Sequence, residues 1–177
     1  MYMRNYIKRP NSFPGDAYGE VTEKGVSQML EYFSEYFDNP DGVFYDLGSG
    51  NGKLCVQVAK ETNFSKVIGI ELHKERHLKA EKLLKKSDVD NVSFIEGSFL
   101  NHDLSDATII FASNEAMPRA VTHAICDNAP KGCLIILGRE PNLKWRTANP
   151  DQKFKRSTAI DKTYTSTKGN FYTLKNK

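Results

Sequence analysis

The sequence predicts an α/β fold: a doubly wound, mostly parallel seven-stranded sheet with helices on both faces and an antiparallel hairpin at its C-terminal edge. Three observations predict it. Short apolar runs alternate with segments of helical period from Val43 to Gly138. A glycine-rich turn, Gly48 to Gly52, follows the first of those runs. Beyond Gly138 the character changes, to two runs rich in Thr and Tyr around Lys168-Gly169. Alternating strand and helix call for parallel strands joined by right-handed crossovers, which cover both faces of the sheet.

Each element has its own signal. Residues 1–17 carry Pro10, Pro14 and Gly15 without period and read as an irregular basic lead-in, ahead of a single domain over 18–177. Val26, Met29, Leu30, Phe33 and Phe37 share one helical face, and Asn39 to Gly42 close that helix with a turn. Val43 to Leu47 is a buried strand and Lys53 to Glu61 a helix. Lys66 to Leu72 is a second strand, Lys74 to Lys86 a basic-faced helix, and Val92 to Glu96 a third strand. Ala107 to Ala112 is a fourth strand. Met117, Ala120, Val121, Ala124 and Ile125 repeat at helical offsets behind Pro118, which suits a first turn, and Cys133 to Gly138 is a fifth strand. Ile160 to Thr167 and Asn170 to Leu174 form the closing hairpin.

Composition narrows the class. At 177 residues, 39% hydrophobic and 27% charged, the chain suits one globular core and not a disordered or fibrous protein. No apolar run approaches the ~18 residues of a membrane span, and Met1 to Pro10 has no signal-type stretch, so an intracellular protein without membrane contact is expected. Cys55, Cys126 and Cys133 are odd in number and lack paired metal-ligand spacing; they read as reduced core residues, with no metal site. The net charge of +3 is unevenly spread: Arg4, Lys8 and Arg9 precede Ser12 without an acid, and nine basic residues after Glu140 face only Asp151 and Asp161. The span between the two ends is left at −7. An acidic body with basic N- and C-terminal segments fits a polyanionic partner such as DNA, and equally fits solvated loop charges.

In open parallel sheets ligands settle at the carboxyl ends of the strands, so the turn Asp46-Leu47-Gly48-Ser49-Gly50-Asn51-Gly52-Lys53 is the first candidate site. Leu47 and Leu54 stand where a P-loop needs glycine and a hydroxyl, which excludes that motif. A dinucleotide fingerprint needs a third glycine where Lys53 stands. Gly48, Gly50 and Gly52 after Asp46, with Glu71 closing the next strand, instead resemble the class I S-adenosylmethionine-dependent methyltransferases. That cofactor has no phosphate to be repelled by nearby acids, and the Glu71 carboxylate can accept both ribose hydroxyls.

Further stretches carry a closer resemblance. Tyr18-Gly19-Glu20, Phe44 to Gly50 running on into Val56 to Ala59, Glu96 to Leu100 and Ile109 to Asn114 resemble the disruptor-of-telomeric-silencing family, the histone lysine methyltransferases without a SET domain. Leu143 to Arg146 and Phe171-Tyr172 extend the likeness to nearly the whole chain. The resemblance implies cofactor contacts from Tyr18, Glu20, Asp46, Gly48, Gly50, Lys53, Glu71, Ser98, Phe99 and Ser113. Within that set Glu20 belongs to a closing loop, Asp46 and Gly48 approach the methionine end, Glu71 holds the ribose and Phe99 packs on the adenine. Asn114, Phe111, Phe171 and Tyr172 are implied to line a channel for the target amine. Three positions depart from the family pattern: Ser98 stands for an aspartate, Ser113 for the first of two asparagines, and Lys53 for a glutamine.

The implied activity is methyl transfer to a core-histone lysine in nucleosomes, which would place the chain in a nucleus, or in a host nucleus; otherwise a cytoplasmic site is expected. Methylation of RNA or of another protein, or a silent module that binds cofactor or chromatin, are the alternatives. Transfer to lysine needs the neutral amine, which an enclosed aromatic channel favours by desolvation, so alignment matters more than a strong base.

Overall fold

The computed structural model describes residues 20–152, 155–160 and 169–175. Seven strands form one sheet: β1 (Val43–Leu47), β2 (Lys66–Glu71), β3 (Val92–Glu96), β4 (Ile109–Ala112), β5 (Leu134–Leu137), β6 (Lys155–Ile160) and β7 (Gly169–Lys175). Their order is β3-β2-β1-β4-β5-β7-β6. The first five pair in parallel, and β7 runs antiparallel between β5 and β6. The expected doubly wound sheet with an antiparallel C-terminal edge is therefore what the chain builds. The segment expected as the hairpin's first strand falls mostly on 161–168, outside the described residues; the strand that pairs with β7 starts earlier, at Lys155.

Six α-helices among the described residues accompany these strands: α1 (Glu23–Tyr32), α2 (Ser34–Phe37), α3 (Lys53–Glu61), α4 (Lys74–Leu84), α5 (Arg119–Asn128) and α6 (Leu143–Ala148). The single helix expected over Val26 to Phe37 is broken at Phe33, whose ψ of 23° leaves the helical range. Thr22 starts α1 by accepting from the Gly25 N–H at 3.0 Å. Asn142 does the same for α6 through the Trp145 N–H at 3.0 Å.

Both sheet faces are covered, which explains why β1, β4 and β5 are buried at every position. On one face Val26, Met29 and Leu30 of α1 and Cys55 and Val58 of α3 pack on Phe44, Phe111, Ile136 and Phe171. On the other, Val121 and Ile125 of α5 and Trp145 of α6 pack on Tyr45, Ile110, Ile135 and Leu174. Burying each such side chain contributes about 1.5–3 kcal/mol before ordering costs. The crossover from β3 to β4 passes over β2 and β1, so the direction of winding reverses between β1 and β4. That opens a crevice at their carboxyl ends, where Asp46 pairs in register with Phe111.

Candidate active site

The glycine turn is tied to β2. Gly48 and Ser49 donate their N–H groups to the Ile70 carbonyl at 2.8 and 3.1 Å, and Gly50 donates to Glu71 Oε2 at 2.8 Å. Gly48 and Gly52 have φ of 91° and 80°, a left-handed backbone that side chains resist. Gly52 is doubly constrained, because a Cβ there would run into Phe94 and Ala80. The turn therefore presents bare backbone directly before the N-terminus of α3.

Three acids surround it. Glu71 is 4% exposed; Oε2 holds Gly50 and Oε1 accepts from the His73 N–H at 2.8 Å. An ionised carboxylate has about four acceptor positions, so each oxygen retains one for a hydroxyl. Asp46 is 3% exposed, and burial raises its carboxyl from 3.8 to about 7. The Cys55 thiol, 3.7 Å from Oδ2, opposes the rise, and the Glu71 charge adds to it. Burial in turn holds the Cys55 thiol well above its ordinary value, so it stays protonated and acts as a donor. Glu20 takes Lys53 Nζ at 2.8 Å and Asn51 Nδ2 at 3.3 Å. The cation that departs from the family pattern is thus neutralised at the cleft mouth, and it holds the segment before α1 over the glycine turn.

Glu20, Asp46, Gly48, Gly50, Lys53, Phe111 and Ser113 line one cleft. Met117, which sequence reasoning does not assign to the site, belongs there too: its Cε would lie 3.1 Å from a Cβ on Gly48. Ser98 sits just past the end of β3 and uses its hydroxyl to accept the Leu100 N–H at 3.3 Å. Phe99 is partly buried and lines, with Leu47, a second cleft that also takes in Leu100, His102 and Ile125. Leu72, next to Glu71, is 49% exposed, an apolar surface beside that carboxylate. Tyr18 lies outside the described residues.

Three expected channel residues are corrected. Asn114 is fully buried, and its Nδ2 donates to Thr122 Oγ1 and the Arg139 carbonyl, both at 2.8 Å, while Oδ1 accepts the Arg139 N–H at 2.7 Å. It staples the loop after β4 to α5 and β5 and keeps no donor for an amine. Phe171 is also fully buried, edge-on to Phe111 with ring centroids 5.2 Å apart. Successive strand residues face opposite sides of a sheet, so Phe171 and Tyr172 cannot share a channel. Tyr172 instead lines a separate cleft with Arg119, Arg139 and Arg146.

The site's donors fit S-adenosylmethionine. Ser49 Oγ is buried in the turn with no hydrogen-bond partner, as a group that awaits a ligand would be. The acid at the end of β2 has free acceptor positions, bare glycine backbone adjoins it, and the nearby lysine is paired. Among the described residues no cluster of His, Cys, Asp and Glu is placed to hold a metal.

Strand order, switch crevice and acid-flanked glycine turn define a class I S-adenosylmethionine-dependent methyltransferase domain. Two solved structures share the fold. An RNA methyltransferase from Salinibacter ruber, in complex with S-adenosyl-L-homocysteine, has a TM-score of 0.63 at 22% identity over 89% of this chain and 95% of that one. Magnesium protoporphyrin IX methyltransferase from Synechocystis, with bound S-adenosylhomocysteine, has a TM-score of 0.65 at 12% identity over 87% and 83%. The chain belongs to the histone methylation protein DOT1 family, which matches residues 3–140. It is similar to a protein-lysine N-methyltransferase from Saccharolobus islandicus, 34% identical over 98 residues, 55% of this chain and 59% of that protein. It is also similar to an H3 lysine-79 specific histone-lysine N-methyltransferase from Caenorhabditis elegans, 32% identical over 124 residues, 62% of this chain and 13% of that protein. The chain thus spans less than two thirds of the length of either curated relative.

Proposed function

We propose that this chain is a protein-lysine N-methyltransferase that acts on a core-histone lysine in nucleosomes. The observation that carries this reading is the coincidence of DOT1 family membership over residues 3–140 with an acid-flanked cleft suited to a cationic, phosphate-free cofactor. Similarity to a protein-lysine methyltransferase supports protein over RNA as the substrate class.

Bound S-adenosylmethionine supplies an electrophilic methyl group on a sulfonium. Glu71 would hold the ribose hydroxyls, the backbone of Gly48 and Gly50 with Ser49 Oγ would meet the methionine end, and Phe99 and Leu72 would flank the adenine. Ser98, already engaged with Leu100, would offer the adenine amino group a remaining hydroxyl lone pair. Asp46 would face the positive end of the ligand, which would favour its ionised form. Phe111, Met117 and Ser113 would wall the approach of the amine. Their largely apolar surface favours the neutral amine, and alignment with the methyl group then does the chemistry.

The test is transfer of labelled methyl from S-adenosylmethionine, run in parallel on intact nucleosomes, free histones and total RNA, with Glu71→Ala as control. Label on histone in nucleosomes, lost with Glu71→Ala, is the expected result. Label on RNA alone would overturn the substrate reading, and cofactor binding with no transfer to any of the three would overturn catalysis in favour of a binding module.

A further inference from the structure

Away from the cofactor cleft, at the carboxyl end of β5, an open cleft of about 380 Å3 is lined by Arg119, Arg139, Arg146 and Tyr172, with Glu140 and Leu143 at its rim. The three arginines come from three elements: the first turn of α5, the residues after β5, and α6. Glu140 is the one acid among the described residues that line it, and its carboxylate is taken by Arg146 Nη1 at 2.8 Å.

Arg139 is the anchor. Its guanidinium donates to the Glu115 carbonyl at 2.9 Å and to the Met117 carbonyl, while its Nε is buried without a hydrogen-bond partner. Desolvation, followed by the nearby Arg119 charge, pulls Arg139 below its ordinary value, against the opposing pull of Glu115. Two like charges therefore share one cavity, next to the N-terminus of a 10-residue helix whose cap, Pro118, offers no side-chain acceptor. Each of these features is unfavourable without an anion between them and favourable with one.

We infer that this cleft is a seat for a backbone phosphate of a nucleic acid. Guanidinium forks match phosphate oxygens bidentately. A run of phosphates is favoured over a single carboxylate because the charge continues: Arg156 pairs in register with Tyr172 across β6 and β7 and is exposed. The seat joins Arg119 and Arg139, from a span that carries −7 between Ser12 and Glu140, to Arg146 and Tyr172 of the basic segment after Glu140. It deepens the methyltransferase reading, resting on it only for a role in turnover. A phosphate held there would sit behind the loop that Asn114 and Arg139 staple, the loop that also carries Ser113 and Met117.

The test measures binding alone, without cofactor, by fluorescence anisotropy of a labelled DNA duplex and a labelled RNA strand, the two arms separating the sources of phosphate. The variants are Arg119→Ala and Arg119→Glu, with Lys82→Ala on α4, beside the opposite sheet edge, as control. Expected are a loss of about 10-fold for Arg119→Ala, more for Arg119→Glu, and a salt slope shallower by about 0.9 on the duplex, or about 0.7 on the RNA strand, for each phosphate no longer neutralised. Lys82→Ala should bind as the unaltered chain does. Equal losses for Arg119→Ala and Lys82→Ala would overturn the seat. Displacement of the nucleic acid by oligoglutamate at matched charge would overturn it too, assigning the cleft to carboxylates. Because no methyl transfer is involved, failure here leaves the proposed activity standing, and failure of that activity leaves this binding standing.

Discussion

Replacing Asp46 with asparagine should stabilise the protein above pH 7 while it weakens cofactor binding. The carboxyl sits at 3% exposure, and burial lifts it from 3.8 to about 7. At about 1.36 kcal/mol per pH unit, that rise corresponds to about 4 kcal/mol held against the ionised folded state. The sign follows from proton uptake. Between pH 3.8 and about 7 the folded chain keeps a proton that the unfolded chain has lost, so this residue's contribution is full below 3.8 and disappears as pH climbs to about 7. Asparagine cannot ionise and does not lose it. Urea unfolding of both proteins from pH 5 to 8 should therefore show the Asp46→Asn variant gaining on the unaltered chain as pH rises, then holding a constant lead. A flat difference across that range would refute the claim that Asp46 is a buried, strained acid. Cofactor affinity should move the other way, because a cationic ligand restores what burial takes from the carboxylate.

Cys55→Ala removes the thiol that opposes the rise in Asp46, so the pH midpoint of cofactor affinity, followed by calorimetry, should move upward. Glu71→Ala breaks the ties to Gly50 and His73 and removes the ribose-type acceptor; affinity for S-adenosylhomocysteine should fall by at least about 10-fold, as measured by the same titration. Gly52→Ala combines a φ of 80° with a collision against Phe94 and should cost at least about 2 kcal/mol in urea unfolding. Asn114→Ala leaves the Arg139 N–H and Thr122 without their buried partner, and should lower stability by about 2–4 kcal/mol in the same unfolding experiment.

Much of the sheet was readable because its strands are buried on both faces and punctuated by turns. β1, α3 and β3 begin and end where the apolar runs and the glycine turn place them. The C-terminal part was less so. α6 has only Leu143, Trp145 and Ala148 as apolar residues in six, too few to show a period, and its start depends on a cap from Asn142. β6 opens with exposed Lys155 and Arg156, which read as tail and not as strand. That β7 lies between β5 and β6 is a matter of which hairpin arm meets β5, and no local pattern encodes it.

The acids around the glycine turn were visible because glycine turns and strand ends are sequence-local. Asn114 and Phe171 were misplaced for the opposite reason. Their surroundings, Thr122 and Arg139 for one and Phe111 for the other, are assembled from distant segments. For Phe171 and Tyr172 the two-residue period of a strand already implies opposite faces. Met117 and Arg139 gave no signal at all, one reading as helix face and the other as a lone charge after a strand.

The most direct test of the central claim is to map the methylated residue by mass spectrometry after incubating nucleosomes with the chain and S-adenosylmethionine. The expected result is a methyl group on a core-histone lysine that is absent when Glu71→Ala replaces the unaltered chain. A methyl group on another residue type, or one that persists with Glu71→Ala, would contradict it.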